Sequence, residues 1–480
     1  MTTAVPGLRR TSIAAAVCGV VLAVALPAAG AQEPPAGPLL FTGDGWRLKL
    51  GLDAAVQTAG EIDSWWNLTD AFPPPTPFDP DRSWTEGYVK PSARLDIEAT
   101  SALAFYGGLA AVASYTWGKD AFDAGDTGAV TVENAYGGLR LAAGPNIGFD
   151  VSAGMQDYMI GSGILIQMGG GNGYEHGALL LSPRTAWDMT AIARERFGGL
   201  TLEQFYLDPS ELESGDSLTE LAGLHARYDW SAEDYAGLAY IHVLKSDYPA
   251  LAAPLVIIPG GREGMNVLHG YGRATPLADL PGLWLAGDLA YEWNERIDQQ
   301  AWGGQAEIGY AATGLRFMPV FSYAFRYFSG DDPSTSVNER FDSLFYEGSP
   351  TGWATGGNAS LAFYNSNVMA HRFGVDVTLS ERDFARARYW HVRAVQENSP
   401  IQFGQGAEVE FENGTPIIIA GVQTPHLSDD FYLEYTRVLT ANLFLTAGGA
   451  LSIPGAGLRG AARGLAEDWW GGYVNLTVNY

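Results

Sequence analysis

The chain has 480 residues, a formal charge of −26 from 54 acidic against 28 basic side chains, and no break in composition. That balance excludes a nucleic-acid partner, and one large β domain fits better than two or three ordinary domains. The one cysteine, Cys18, lies in a leader-like stretch, so the exported chain would have no disulfide to rely on. No stretch offers the ~20 consecutive apolar residues of a membrane-crossing helix, yet mean hydropathy sits at −0.02, as strands with one lipid face and one water face would give.

Residues 1–31 read as a secretory signal: Arg9 and Arg10, the apolar run Ile13 to Leu26, then Ala29-Gly30-Ala31, with Gln32 as the mature start. The general secretory route is expected, because a lipid-facing barrel cannot cross the inner membrane folded. Cys18 falls in mid-run and not at a cleavage site, against a lipoprotein. Taking Arg9 and Arg10 away leaves 26 basic against 54 acidic residues, a balance of −28. Residues 32–45 form a short periplasmic lead with Pro34, Pro35 and Pro38, and 46–480 one barrel domain.

From Trp46, the residues Leu48, Leu50, Leu52, Ala54 and Val56 alternate with Arg47, Lys49, Gly51, Asp53, Ala55 and Gln57, a strand with a lipid face and a water face. After a Pro- and aromatic-rich connection from Trp65 to Trp84, Tyr88, Lys90, Ser92, Arg94, Asp96 and Glu98 alternate with Val89, Pro91, Ala93, Leu95 and Ile97. The connection Gly118 to Ala129 reads as long and acidic. Short links then recur at Ala143 to Pro145, Gly198 to Gly199, Ser231 to Asp234, Pro276 to Gly282, Ala312 to Gly314, Ser380 to Arg382 and Thr440 to Ala441. Long ones fall between, at Tyr158 to Pro183, Asp208 to Ser217, Ser246 to Met265, Asn294 to Gln299, Ser329 to Ser366, Glu397 to Ser428 and Pro454 to Ala466.

The last strand, Trp469 to Tyr480, sets Val474, Leu476, Val478 and Tyr480 against Tyr473, Asn475, Thr477 and Asn479. An open barrel edge in lipid would leave unpaired backbone groups, so this strand must close on the first. The sequence therefore predicts an all-β chain: a single transmembrane antiparallel barrel of about 18 strands, with long extracellular loops, short periplasmic turns and both termini periplasmic. The expected place is the bacterial outer membrane, with the C-terminal strand addressing the barrel-assembly machinery. Trp117, Trp187, Tyr228, Trp230, Tyr291, Trp293, Trp302, Tyr327, Trp390, Trp469 and Trp470 lie near strand ends, as interfacial girdles do. A propeller would show a blade repeat, and none is present.

Enzyme signatures are missing. Gly161-Ser162-Gly163 is no nucleophile elbow, and Gly169 to Gly173 lacks the Lys-Ser/Thr of a phosphate loop. Ser162 with His176 is the one loosely local pair for an acyl hydrolase, and it is read as loop. The seven histidines show no helical ligand pair, so neither a metal nor a cofactor is expected. Asp331-Asp332 and the Glu408, Glu410, Glu412 run offer oxygens for a hard cation such as Ca²⁺, but read as solvated loop charge. Strand phase places Arg47, Lys49, Lys90, Arg94, Arg227, Arg326, Arg372 and Arg393 on the lumen wall as the path of a solute. Each arginine could instead brace the barrel through a neighbouring carboxylate.

Arg326 to Asn367 carries Arg-Tyr-Phe-Ser-Gly-Asp-Asp-Pro-Ser-Thr, Phe341-Asp342-Ser343-Leu344-Phe345, Gly352-Trp353 and Tyr364-Asn365-Ser366-Asn367. This stretch resembles the alginate export family of outer-membrane barrels, as does Gly154-Met155-Gln156, where Met155 stands for that family's Arg. The resemblance implies an 18-stranded channel passing an anionic polyuronate outward through an Arg-rich lumen, with Arg94, Arg326 and Arg372 in that role. The alternatives are a porin-like uptake channel for sugars or small solutes, and a structural or adhesive barrel plugged by Tyr158 to Pro183 and Ser329 to Ser366.

Overall fold

Alternation in the sequence becomes a closed wall. The computed structural model describes residues 39–71, 78–144, 146–346, 355–358, 361–404 and 418–480. The leader with Cys18, Pro145, the Gly352-Trp353 pair and the Glu408, Glu410, Glu412 run lie outside the described residues. The first strands are β1 (Trp46–Ile62), β2 (Arg82–Glu98), β3 (Leu103–Lys119), β4 (Gly125–Ala142), β5 (Ile147–Gln156) and β6 (Trp187–Phe197). The next are β7 (Leu200–Pro209), β8 (Glu220–Asp229), β9 (Tyr235–Lys245), β10 (Asn266–Ala274), β11 (Leu283–Asn294) and β12 (Gln299–Ala311). The last are β13 (Val320–Phe328), β14 (Val368–Thr378), β15 (Asp383–Ala394), β16 (His426–Thr440), β17 (Leu443–Pro454) and β18 (Trp469–Asn479).

These eighteen strands pair antiparallel with their sequence neighbours, and a short strand at Leu39–Gly43, inside the lead read at 32–45, folds back on β1 as the nineteenth member of the sheet. Closure comes from β1 and β18, in register from Asp53 opposite Asn479 to Ile62 opposite Trp470. The wall thus has no open edge, which satisfies every ladder N–H and C=O in the hydrocarbon layer. Both ends of the wall fall at the short-turn side. The connection expected at Gly118 to Ala129 is tighter, because β3 and β4 run on to Lys119 and Gly125, while that between β11 and β12 has the expected bounds, Asn294 and Gln299. At the β3–β4 turn Asp120 accepts the N–H groups of Phe122 and Ala124 (2.9 and 3.2 Å).

The outward positions are apolar and exposed: Leu52 and Val56 on β1, Val89, Leu95 and Ile97 on β2, Leu285 and Leu289 on β11, Val474 and Leu476 on β18. Such a belt on a closed barrel belongs in a bilayer, and the chain is an outer-membrane β-barrel protein. Trp117, Trp230, Trp302 and Trp470 sit on that face near strand ends, as girdles do. Trp187, Trp390 and Trp469 do not, for their indoles point inward and are fully buried. Adjacent residues on a strand take opposite faces, so Trp469 and Trp470 divide between core and lipid.

What buries those indoles is a plug. Trp65 and Trp66, Ile160, Ile164, Leu165 and Ile166, and Phe341, Leu344 and Phe345 come from three different loops and share one core with Trp187, Trp390 and Trp469. Loops 157–186 and 329–367 meet through a parallel bridge of Ile166 with Phe345 and the Phe345 N–H to Leu165 C=O bond (2.8 Å). The Phe341-Asp342-Ser343-Leu344-Phe345 run is therefore plug core.

Candidate functional site

Several inward-facing arginines are well exposed near the periplasmic mouth, and those higher up are buried. Arg47 has 51 % of its side chain exposed, Arg94 40 % and Arg227 32 %, whereas Arg372 keeps 6 %. Arg326, one layer higher opposite Ala370, is fully buried. A charged vestibule of exposed arginines thus leads to a tier of buried ion pairs beneath the plug.

That tier is built by strands in register, adjacent or one apart. Arg372 on β14 pairs with Glu307 on β12. One step lower Arg388 on β15 donates through Nη2 to both oxygens of Asp376 (3.0 and 2.8 Å), and Arg386 donates through Nε to the same carboxylate (2.7 Å). Arg386 also reaches Glu434 on β16 (3.6 Å). On the opposite wall Arg194 pairs with Glu203, whose other oxygen lies 2.7 Å from His225 Nδ1, while His225 Nε2 lies 2.7 Å from the Tyr271 hydroxyl. Guanidinium forks suit carboxylates geometrically, and here each meets one from the protein itself.

The other expected path residues divide by level. Arg47 bonds Glu98 (3.0 Å) at the mouth, and Lys49 stands across from Arg94, which lies 3.5 Å from Asp96. Lys90 reaches higher, to Glu133 (3.2 Å) and the Pro183 carbonyl (3.1 Å), and so ties the wall to loop 157–186. Arg227 chelates Asp229 with Nε and Nη2 (2.9 and 2.8 Å) and lies 3.9 Å over the Tyr235 ring. Arg326 donates to Gln305 (3.0 Å) within the plug layer.

Arg393 is a correction. On β15 the buried inward positions are Arg386, Arg388, Trp390, Val392 and Ala394, so Arg393 stands with Tyr389 and His391 on the outside. Both faces of this strand carry charge, which left its phase open to a one-residue slip, and Arg386 and Arg388 were missed for that reason. Met155 is likewise in phase with the exposed Ala153, outside the wall.

Loops latch the plug from above. Arg262 in loop 246–265 grips Asp342 in loop 329–367 with a two-point fork (2.8 Å each) and lies 3.7 Å over Tyr248. Burial works against the Arg262 cation, but the Asp342 charge holds its pKa above the usual guanidinium value. Arg340 donates to Gln402 (3.0 Å), and the Asn367 amide bonds the Gln396 and Ser399 carbonyls (3.1 Å each), which ties in loop 395–425. Two loop carboxyls, the buried Asp120 and the half-buried Glu211, have no cation bonded to them among the described residues: burial pushes Asp120 up to about 7 against its N–H donors, and Glu211 up to about 7 despite Ser217. Asp331 is spent on the N–H groups of Ala253 and Glu339 (2.6 and 3.0 Å), and Asp332 on Ser334 (2.9 Å to its N–H).

Ser162 and His176 are not brought together. Ser162 donates to Asp288 (2.6 Å), which His269 also contacts (3.0 Å), and His176 Nδ1 lies against the Gly171 carbonyl (2.9 Å). In this order the carboxylate, not the imidazole, faces the hydroxyl, the reverse of what an activated serine requires.

No protein-family model matches the chain, and no curated protein matches its sequence. Solved structures do. Pseudomonas aeruginosa OpdL is similar at 12% identity over 91% of this chain and 98% of its own, with a TM-score of 0.52. A BenF-like porin from Pseudomonas fluorescens Pf-5 gives 10%, 90%, 98% and 0.52. Pseudomonas aeruginosa OccK2 (OpdF) in complex with glucuronate gives 13%, 90%, 97% and 0.52. These likenesses show a porin-like fold, and nothing in them points to alginate export.

Proposed function

We propose that the chain is a porin-like uptake channel for small polar solutes, carboxylated sugars among them, that pass the Arg372, Arg386 and Arg388 tier once the plug loops move aside. The observation that carries this reading is the tier itself. Three guanidinium groups stacked on two adjacent strands meet Glu307, Asp376 and Glu434. A solute carboxylate could replace one of these in forked geometry, exchanging one ion pair for another at little net cost. A likeness to a barrel solved with glucuronate supports the solute class. The plug favours small solutes over a polymer, since an exported polyuronate chain would have to thread between latched loops.

Uptake of glucuronate and glucose into proteoliposomes tests the reading. Glucuronate should enter faster, and Arg372→Ala and Arg388→Ala should each erase most of the difference. Equal rates in the unmodified barrel would remove the solute assignment. A barrel passing neither solute would favour the second reading, a plugged barrel that binds a partner through its loops, for which the filled extracellular half speaks. Delivery by the barrel-assembly machinery through β18 belongs to the same proposal.

A further inference from the structure

The outer face of the barrel carries, near its extracellular rim, a side-chain cluster that a channel does not need. His391 on β15 stands directly across from Asp429 on β16, and Arg393 across from His426. Residues three apart on a regular strand face opposite ways, so His426 and Asp429 should be on different sides of the wall. They are not, because Val392 pairs with Ser428 while Arg393 pairs with His426, which leaves Leu427 as an extra residue. This bulge turns His426 onto the face of Asp429, the kind of re-aiming for which bulges are kept.

The geometry is that of donors around a shared centre. His391 Nδ1 lies 2.8 Å from Asp429 Oδ1, and His426 Nε2 lies 3.1 Å from Asp429 Oδ2. The two imidazoles are 4.8 Å apart between centroids, and one ligand atom from each of the three residues falls within 4.8 Å of the others. Neighbouring ligands of a tetrahedral ion with ~2.0 Å bonds sit roughly 3.3 Å apart, so small shifts would seat one. His426 Nε2 is shielded from solvent, and the Asp429 carboxylate is the polar group it faces. Tyr389 donates its hydroxyl to Asp429 Oδ1 (2.7 Å) and fixes the carboxylate, as outer-shell groups do at metal centres.

We propose that His391, His426 and Asp429 form a binding site for one divalent transition-metal cation of the zinc, nickel or copper class, open to the outside at the rim. Imidazole with carboxylate suits these ions and not Mg²⁺ or Ca²⁺. The groups facing it include His371, in register with His391 and bonded by Nδ1 to the Tyr323 hydroxyl (2.8 Å), and the Arg393 cation, whose repulsion weakens the site.

The test uses the full, tag-free barrel in detergent micelles, titrated with ZnCl₂ by calorimetry and with CuCl₂ by electron paramagnetic resonance. One Zn²⁺ should bind per barrel, and Cu²⁺ should show nitrogen hyperfine structure. His391→Ala, His426→Ala and Asp429→Asn should each weaken binding by about tenfold or more, with His242→Ala unchanged. Arg393→Ala should leave binding intact or tighten it. A site meant for an anion, such as a lipid phosphate, would instead lose its ligand in Arg393→Ala and ignore Zn²⁺, and that outcome would overturn the proposal. So would Zn²⁺ binding that is absent, or that is equal in the three variants. Heat-modifiable migration on gels confirms that each variant is folded, and the Cu²⁺ spectrum of the unmodified barrel decides the ligand type without any variant.

Discussion

Beside and above Arg372 the lumen holds Trp390, Phe328 and Phe341 without exposure to water, while below it Arg94 keeps 40 % of its side chain exposed. One wall of eighteen strands thus encloses two environments. In the lower half charged inward positions are paired within and across strands, so the wall supplies both the charge and its compensation. In the upper half loops supply an apolar filling, and ion pairs there join loop to loop, as Arg262 with Asp342 does, or wall to loop, as Lys90 does. The difference teaches that the barrel and its plug are separable in energy: ladder hydrogen bonds hold the first, apolar burial and a handful of latches the second.

The plug should therefore come apart while the wall stands. Arg262→Ala leaves the Asp342 charge buried without its partner, at a cost of about 3–5 kcal/mol to the loop assembly. Amide exchange should rise across 246–265 and 329–346 with the strands still protected; loss of strand protection as well would join the two regions into one cooperative unit. Trp390→Ala opens a cavity at the plug's floor, worth about 3–5 kcal/mol by thermal melting, whereas Trp302→Ala on the lipid face should cost well under about 1 kcal/mol. Equal costs would erase the distinction between core and girdle.

In the lower half, Arg388→Ala takes one of two forks from Asp376 while Arg386 stays. We expect a modest cost of about 1–2 kcal/mol and a shift of ion selectivity toward cations, read as reversal potential in a salt gradient. An unchanged reversal potential would place the tier off the ion path. The smallest effect is one of pH. The folded-state pKa of Asp120 and of Glu211 is raised to about 7, so the folded plug holds protons that the unfolded chain releases between about 4 and 7. Their protonated form is fully compatible with the plug at low pH, and plug stability falls as pH rises toward 7 and levels off above it. Protease nicking of the loops should be slower at pH 5 than at pH 8, with Asp120→Asn flattening the difference.

Much of the wall was legible because lipid and water impose a two-residue period. On β1, β2 and β18 one face is apolar throughout, and both phase and closure follow from that alone. β15 was misread because Arg386 and Arg388 lie on one face and His391 and Arg393 on the other, so no apolar side marks the lipid. Trp187, Trp390 and Trp469 sit near strand ends, where a girdle and a plug both want indoles. For Trp390 beside Tyr389 and Trp469 beside Trp470 the phase separates the two, and for Trp469 that split was available in the sequence, whereas Trp187 shares the phase of exposed Met189 and is turned inward by a break in register between them. The plug contacts were not, since Arg262 with Asp342 and Ile166 with Phe345 join loops far apart in the chain with no periodic signal. The His426 bulge was invisible for the same reason, as it depends on the register of a partner strand.

Conductance of single barrels in a planar bilayer, unmodified and with Arg262→Ala, tests the central claim most directly. A loop plug latched over a charged lumen should give small, intermittent openings in the unmodified barrel and larger, longer ones in the variant. Identical conductance in the two, or none in either, would contradict it.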